Sequence, residues 1–428
     1  MSTLLDKARA LDTADPLARF RSEFWIPPHD GGTDQLYFTG NSLGLQPRRL
    51  QAEMDRELAH WKAHAVEGHF KGDFPWMPYH ENLRDPLAAL VGARPAEVVA
   101  MNSLTVNLHL MMVSFFRPQG RRCKILIERQ PFPSDRYAVE SQLRFHGLDP
   151  LECLVELGSE ASERLIEESL VEDYLSQHGD EVALVLWPGV HYASGQLFDL
   201  ARITCAAHHK GAKVGFDLAH AAGNVPLSLH EDGPDFAAWC SYKYLNSGPG
   251  AVAGCFVHER HHASDAATGE LPRFHGWWGA DPQSRFLMGP EFVPAAGADA
   301  WQLSNPPILA MAPLRVSLDL FHEAGMQSLR EKSIRMTGWL EKQLKDHFPA
   351  LLEIITPADP NRRGCQLSLR VRDGRVRGRK LFHFLQENGA ITDWREPDVI
   401  RVAPVPLYNS FEDCARLCQL FEAFGELS

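Results

Sequence analysis

The chain has 428 residues, more than one compact core usually holds, and its 44% apolar and 23% charged side chains are the balance of a folded globule, which excludes extended disorder. A formal charge of −12 leaves no basic stripe to neutralise phosphates, so nucleic acid is not an expected partner. The opening MSTLLDKARALDTADPLARF mixes acids with bases and holds no unbroken apolar stretch, and the eight cysteines form no CxxC pair; neither a signal peptide nor a membrane span is expected, and a cytoplasmic protein with reduced thiols fits.

Residues 1–40 are too polar to fold alone. From about residue 98, short apolar runs alternate with amphipathic stretches: KILIE at 124–128, LECLVEL at 151–157, VALVLWP at 182–188, KVGFD at 213–217, DFAAWCSY at 235–242 and AVAGCFV at 251–257. Helices are expected between them over 134–145, 161–177 and 200–210. Such alternation predicts βαβ units around a mainly parallel sheet. The last two runs are too close for a crossover helix, so one strand there should be antiparallel. After SNPPILAMAPL the character changes. From about Val316 the pattern predicts a long amphipathic helix, a strand in CQLSLRV at 365–371, a helix in GRKLFHFLQENG and a last strand in IRVAPVP, a small α+β unit. The expected division is therefore 1–40, packing on the small domain; 41–315, a large α/β domain; and 316–428, the small domain. The basic run 370–380 reads as a solvated hairpin.

Asp217 and Lys243, in KVGFDLAHAAGN and DFAAWCSYKYLNSGPGA, are the pair that points to chemistry. Pyridoxal phosphate needs a lysine amine for a Schiff base with its aldehyde, and a carboxylate that keeps the pyridine nitrogen protonated. Asp217 ends a predicted strand, where open α/β sheets place ligands. An N-cap acid and a solvated lysine are the ordinary alternative, but Lys243 is bracketed by Tyr242 and Tyr244 between an apolar run and a glycine-rich turn, an odd setting for a surface charge.

With SYKYLNSGPGAVAG, the strings NSLGLQP, FDLAHAAGN, MNSLTVNLH, PFPSD, GWWG, QLSNPP and RVAPVPLYNSFED together resemble the kynureninase family over nearly the whole chain and in the family's order. The resemblance implies an aminotransferase-type fold (fold type I of the pyridoxal phosphate enzymes), and hydrolysis of L-kynurenine or 3-hydroxy-L-kynurenine to anthranilate or its 3-hydroxy form and L-alanine, in tryptophan catabolism or NAD biosynthesis. It also implies a homodimer with its sites at the interface.

Residue by residue, it assigns Lys243 to the Schiff base and Asp217 to the ring nitrogen, with His220 beside it. Leu104 and Thr105 would contact the phosphate at a helix start, where free N–H groups and the dipole suit an anion. In PFPSD, Phe132 would stack on the ring and Asp135 reach its polar edge, with Pro133 and Ser134 completing the loop; taken alone, FPSD is a helix entry with Ser134 as cap. Tyr242 would bond the phosphate and serve in proton transfer. Trp277 and Asn305 would cradle cofactor or substrate from the partner subunit. Arg401 would clamp the substrate α-carboxylate, a task suited to a planar guanidinium, with a surface ion pair as the alternative. His69 would lie near the substrate's aromatic ring.

Three other readings compete. A cysteine desulfurase or selenocysteine lyase would need a mobile thiol, and Cys365, the one candidate, begins an apolar strand. A catalytically silent pyridoxal phosphate protein would lack the lysine, acid or arginine, and all three are present. The histidines 258, 261 and 262 of VHERHHA read as a charged, solvated loop rather than a zinc site, and SGPGAVAG lacks the order of a phosphate-binding Walker loop.

Overall fold

The structure, a computed structural model, describes residues 2–158, 165–262 and 271–427. Its larger sheet has seven strands, β1 (Val98–Ala100), β2 (Lys124–Glu128), β3 (Leu154–Leu157), β4 (Val182–Pro188), β5 (Lys213–Asp217), β6 (Phe236–Trp239) and β7 (Gly254–Val257), in the order β1-β7-β6-β5-β4-β2-β3. Strands β2 to β6 run parallel, and β7 is antiparallel to both β6 and β1, as the short link before it requires.

Alternate residues of these strands feed two cores on opposite faces. Leu126, Val185 and Val214 join one core, while Ile125, Ile127, Leu184 and Leu186 join the other. Helices α2 (Leu104–Phe115) and α3 (Pro133–Phe145) cover the second face through Leu108, Met111, Val139 and Leu143. Helices α4 (Glu168–His178), α5 (Leu200–His209) and α6 (Ile308–Ala324) cover the first through Val171, Ile203 and Leu318. Of the helix expected over 161–177, residues 161–164 lie outside the described residues. The run LECLVEL is only half strand: Asp149 caps a turn at Pro150–Cys153, and β3 starts after it.

The smaller sheet is wholly antiparallel, β8 (Leu352–Ile354), β9 (Leu367–Val371), β10 (Asp393–Arg395) and β11 (Val399–Val402), in the order β8-β9-β11-β10. Its core joins Leu367 and Val402 to Leu340 of α7 (Met326–His347), Leu381 of α8 (Gly374–Glu387) and Phe421 of α9 (Phe411–Leu427). Ala8 of α1 (Ser2–Thr13), Leu36 and Phe38 share that core, and Leu36–Tyr37 pairs in parallel with Ala390–Ile391.

Two expectations are corrected here. The single long helix is two, α6 and α7, broken at Gly325, whose φ of 75° lies in the region that favours glycine. The basic run at 370–380 is not a hairpin. It is the end of β9, a turn, and the first half of α8, because Gly378 and Leu381 face the core and carry helical periodicity into the basic stretch. Carboxylates offset its charges: Glu396 takes Arg375 and Arg379, and Asp373 takes Arg377.

Candidate active site

A cavity of about 230 Å³ opens where β2, β4 and β5 end, at Glu128, Pro188 and Asp217. That is the carboxyl edge of the parallel strands, where backbone ends and helix starts converge. One wall is the start of α2. Ser103 sits at its N-cap in extended conformation without a side-chain cap bond, so the first N–H groups of the helix have no carbonyl partner within it. Thr105 Oγ1 and Ser134 Oγ, 2.9 Å apart, tie this wall to the start of α3. Ser134 is thus not the cap of α3. Phe132 holds the N-cap and Pro133 opens the helix, with no N–H to satisfy.

The floor is acidic. Asp217 accepts a bond from the Ala219 N–H at 2.7 Å, and the buried Asp135 carboxyl is in hydrogen-bonding contact with it. Burial, then Asp217, holds Asp135 well above the usual carboxylate range. Burial also pushes the Glu128 carboxyl up to about 8, with Asp217 adding to it. Two carboxyls in contact must share a proton unless a cation intervenes.

Opposite stands Lys243, in the loop after β6. Its Nζ lies 3.1 Å from His220 Nε2 and 5.8 Å from the centre of the Phe132 ring. Burial, then Lys243 and Arg401, pushes His220 well below its ordinary value, so the ring is neutral and its Nε2 accepts from the lysine. His220 Nδ1 is buried without a partner. Burial raises the Tyr242 phenol, with Cys240 adding to it.

Residues 36–268 match the family described as aminotransferase class-V, and residues 329–421 match the kynureninase C-terminal domain. A kynureninase from Stenotrophomonas maltophilia (strain K279a) is 57% identical over 429 residues, 100% of each chain, and one from Xanthomonas euvesicatoria pv. vesicatoria (strain 85-10) is 58% identical over 427 residues, 99% of this chain and 100% of that one. The chain belongs to the kynureninase family. Among solved structures, a cysteine desulfurase from Escherichia coli superposes with a TM-score of 0.75 at 16% identity, covering 96% of this chain and 98% of that one. A cysteine desulfurase from Thermococcus onnurineus NA1 gives 0.73 at 15%, covering 92% and 95%. At such identity these two establish the shared fold alone.

In this kynureninase-family chain the cavity is lined by Leu104, Thr105, Phe132, Ser134, Asp135, Asp217, His220, Tyr242 and Lys243. Pro133, His69, Trp277, Asn305 and Arg401 stand outside its wall. Trp277 is 45% exposed and Asn305 is exposed, whereas the neighbouring Trp278 is buried. His69 packs edge-on against Trp76, ring centres 5.5 Å apart, with its buried Nδ1 unpartnered. Arg401 is 1% exposed rather than part of a surface pair. It abuts the cavity from behind, donating to the Tyr192 carbonyl at 2.7 Å and to Asp393.

Residues of this region that were not anticipated are Ser103, Glu128, Pro188, Val190, Tyr192 and Ala219 of the lining, and Asp393 beside Arg401. Glu128 alone carried a signal, an acid closing an apolar run just as Asp217 does. The histidines of VHERHHA are not a solvated loop. His261 Nε2 reaches Asp235 at 2.7 Å, His262 Nε2 the Val257 carbonyl at 2.9 Å, and His258 lies 3.7 Å from the buried Glu97, which also takes His230. Cys365 is buried, and burial pushes its thiol up to about 12, the opposite of a mobile sulfur nucleophile.

Proposed function

We propose that this chain hydrolyses the Cβ–Cγ bond of L-kynurenine, of 3-hydroxy-L-kynurenine, or of both, with pyridoxal phosphate as cofactor. One water is consumed: its oxygen ends in the carboxylate of anthranilate or 3-hydroxyanthranilate, and a proton on Cβ completes L-alanine. The observation that carries this reading is the pairing, in one cavity, of Lys243 with the Asp217–Asp135 floor. Full-length similarity to kynureninases supports the substrate.

The residues present fit the cofactor. The start of α2, with Thr105, offers unpaired N–H groups and a hydroxyl to a phosphate. Two carboxyls in contact suit a cationic N–H such as a pyridinium, and the partly exposed Phe132 offers a ring face. Lys243, in the cavity wall, would supply the amine for the aldehyde. When bound, pyridoxal phosphate supplies that aldehyde and a ring that accepts electrons from the substrate's Cα.

In this reading Asp217 would pair with the ring nitrogen and keep it protonated, with Asp135 at its side. Lys243 would take the proton from the substrate Cα. Neutral His220 would steady the Lys243 nitrogen through their hydrogen bond. Tyr242 holds the phosphate and moves protons within the site; its raised phenol keeps the proton until a stronger base draws it. Arg401 holds the substrate carboxylate, and His69 borders the aromatic ring. Trp277 and Asn305 would complete the site of the other protomer in a homodimer; their exposure away from this chain's cavity favours that. We further read residues 41–315 as the cofactor-binding unit and 316–428 as the unit that brings up Arg401, with α6 as the joint; residues 1–40 pack on both rather than on the small unit alone, Phe20 and Phe24 in the larger core and Leu36 and Phe38 in the smaller. A cytoplasmic place in tryptophan catabolism or NAD biosynthesis belongs to the same reading; among the described residues no helix is long and apolar enough to cross a membrane.

The test is a steady-state assay of the purified protein with both substrates, following the fluorescence of anthranilate and 3-hydroxyanthranilate. Release of neither from cofactor-loaded protein would overturn the proposal.

A further inference from the structure

Strands β10 and β11 pair in antiparallel register with Asp393 opposite Arg401. Cross-strand partners project to the same face of a sheet, so the acid and the base are held together by the ladder itself. The Asp393 carboxylate does not serve Arg401 alone. Its Oδ2 accepts both from Arg401 and, at 3.0 Å, from Arg395 Nη2, which leaves β10 two residues later on the same face. The two arginines differ in setting. Arg401 is 1% exposed, and its second nitrogen is fixed on the Tyr192 carbonyl at 2.7 Å; Arg395 is 35% exposed. Tyr192 in turn borders the cavity and meets Phe132 edge-on, ring centres 5.4 Å apart.

We propose that Asp393 is a positioning residue for carboxylate recognition: one acid shared by Arg395 and Arg401 fixes the plane of the buried guanidinium next to Tyr192 of the cavity wall and leaves the group one positive charge in surplus. This rests on the functional reading above and extends it to residues which that reading leaves idle. The charge arithmetic is simple. Two guanidiniums against one carboxylate carry +1, which the carboxylate of an amino acid substrate neutralises. Without Asp393 the two arginines would repel each other across adjacent strands, and Arg401, too buried to be solvated, would lose the bond that fixes its plane. Without Arg395 the Asp393–Arg401 pair would be neutral, and the attraction for a carboxylate would fall.

The experiment compares wild type, Asp393→Asn, Asp393→Glu and Arg395→Gln as cofactor-loaded enzymes. KM and kcat for L-kynurenine are measured together with the dissociation constant of L-alanine by calorimetry. Asp393→Asn should raise KM and the L-alanine constant by about tenfold, the scale of one charge-assisted hydrogen bond, with a smaller change in kcat. Asp393→Glu should recover most of that loss. Arg395→Gln should raise both constants by a factor of about three to ten while thermal stability holds, since that side chain is the more exposed. A folded Asp393→Asn enzyme with unchanged or tighter carboxylate binding overturns the proposal, because the acid would then be a bystander or a competitor. Should that variant fail to fold, unchanged binding in Arg395→Gln overturns it instead. Failure of the functional reading is distinguishable: wild type itself would then turn over no kynurenine, while L-alanine binding still ranks the variants.

Discussion

Lys243 Nζ and His220 Nε2 are 3.1 Å apart, and the histidine is the acceptor. The direction follows from burial, which together with Lys243 keeps His220 uncharged far below its ordinary range. A protonated ring there would repel an ammonium; a neutral one can accept its hydrogen bond. Lys243→Ala should therefore leave a folded protein, by circular dichroism, that lacks the visible absorbance band of covalently held cofactor and turns over kynurenine at least about 10²–10⁴-fold more slowly. An unchanged band in that variant would remove Lys243 from its role.

The 2.9 Å contact between Thr105 and Ser134 joins the two helix starts that face the expected phosphate. Thr105→Ala removes one hydroxyl from that anion site and strands the other. The cost should be about 1 kcal/mol, or roughly five- to tenfold in the dissociation constant of pyridoxal phosphate, read by titrating apoprotein. Thr105→Ser should bind nearly as wild type. Equal affinity in all three would mean that the phosphate lies elsewhere.

The site was legible where chemistry and strand ends coincide. Asp217 and Lys243 each follow an apolar run, and their types already match the needs of one cofactor. Glu128 closes its run in the same way, yet nothing local says that it turns inward. Arg401 was legible through family resemblance, but Asp393 lies eight residues earlier across a hairpin whose register no pattern encodes. The histidines of VHERHHA were misread for a related reason: their partners Glu97 and Asp235 come from the residues just before β1 and β6, and a charged string looks solvated until distant acids are seen to bury it. In the same way, α8 was legible at Leu381 and Leu385 but not at its arginines.

Asp235 gives a pH-dependent prediction. Its carboxyl is 1% exposed and accepts from His208, His261, Lys213 and the Val214 N–H. Burial alone would raise it, but the histidine bonds and the Lys213 charge together outweigh burial and hold it well below the usual range. A depressed carboxylate adds stability above its unfolded value near 3.9, and that share is lost as pH falls below it. Asp235→Asn should cost about 3–5 kcal/mol at pH 7, since four donors lose their anion, and progressively less in acid. Urea unfolding at several pH values checks this; a penalty independent of pH would contradict it.

Glu128 should behave in the opposite sense. Its folded carboxyl titrates at about 8, raised by burial and then by Asp217. An acid raised in the fold stabilises below its unfolded value near 4.3, and that contribution disappears as pH climbs to about 8, because the unfolded chain ionises freely while the fold must keep the proton or bury a charge. At neutral pH the native residue is thus a liability, on the order of a few kcal/mol, at the floor of a ligand site, which is where a protein tolerates cost for function. Glu128→Gln keeps the shape and removes the titration. The variant apoprotein should melt above wild type at pH 8, match it near pH 4.5, and show a weaker dependence on pH between them. If the two melting curves instead stay parallel across that range, Glu128 is ionised in the fold and the floor of the cavity carries more charge than its geometry implies.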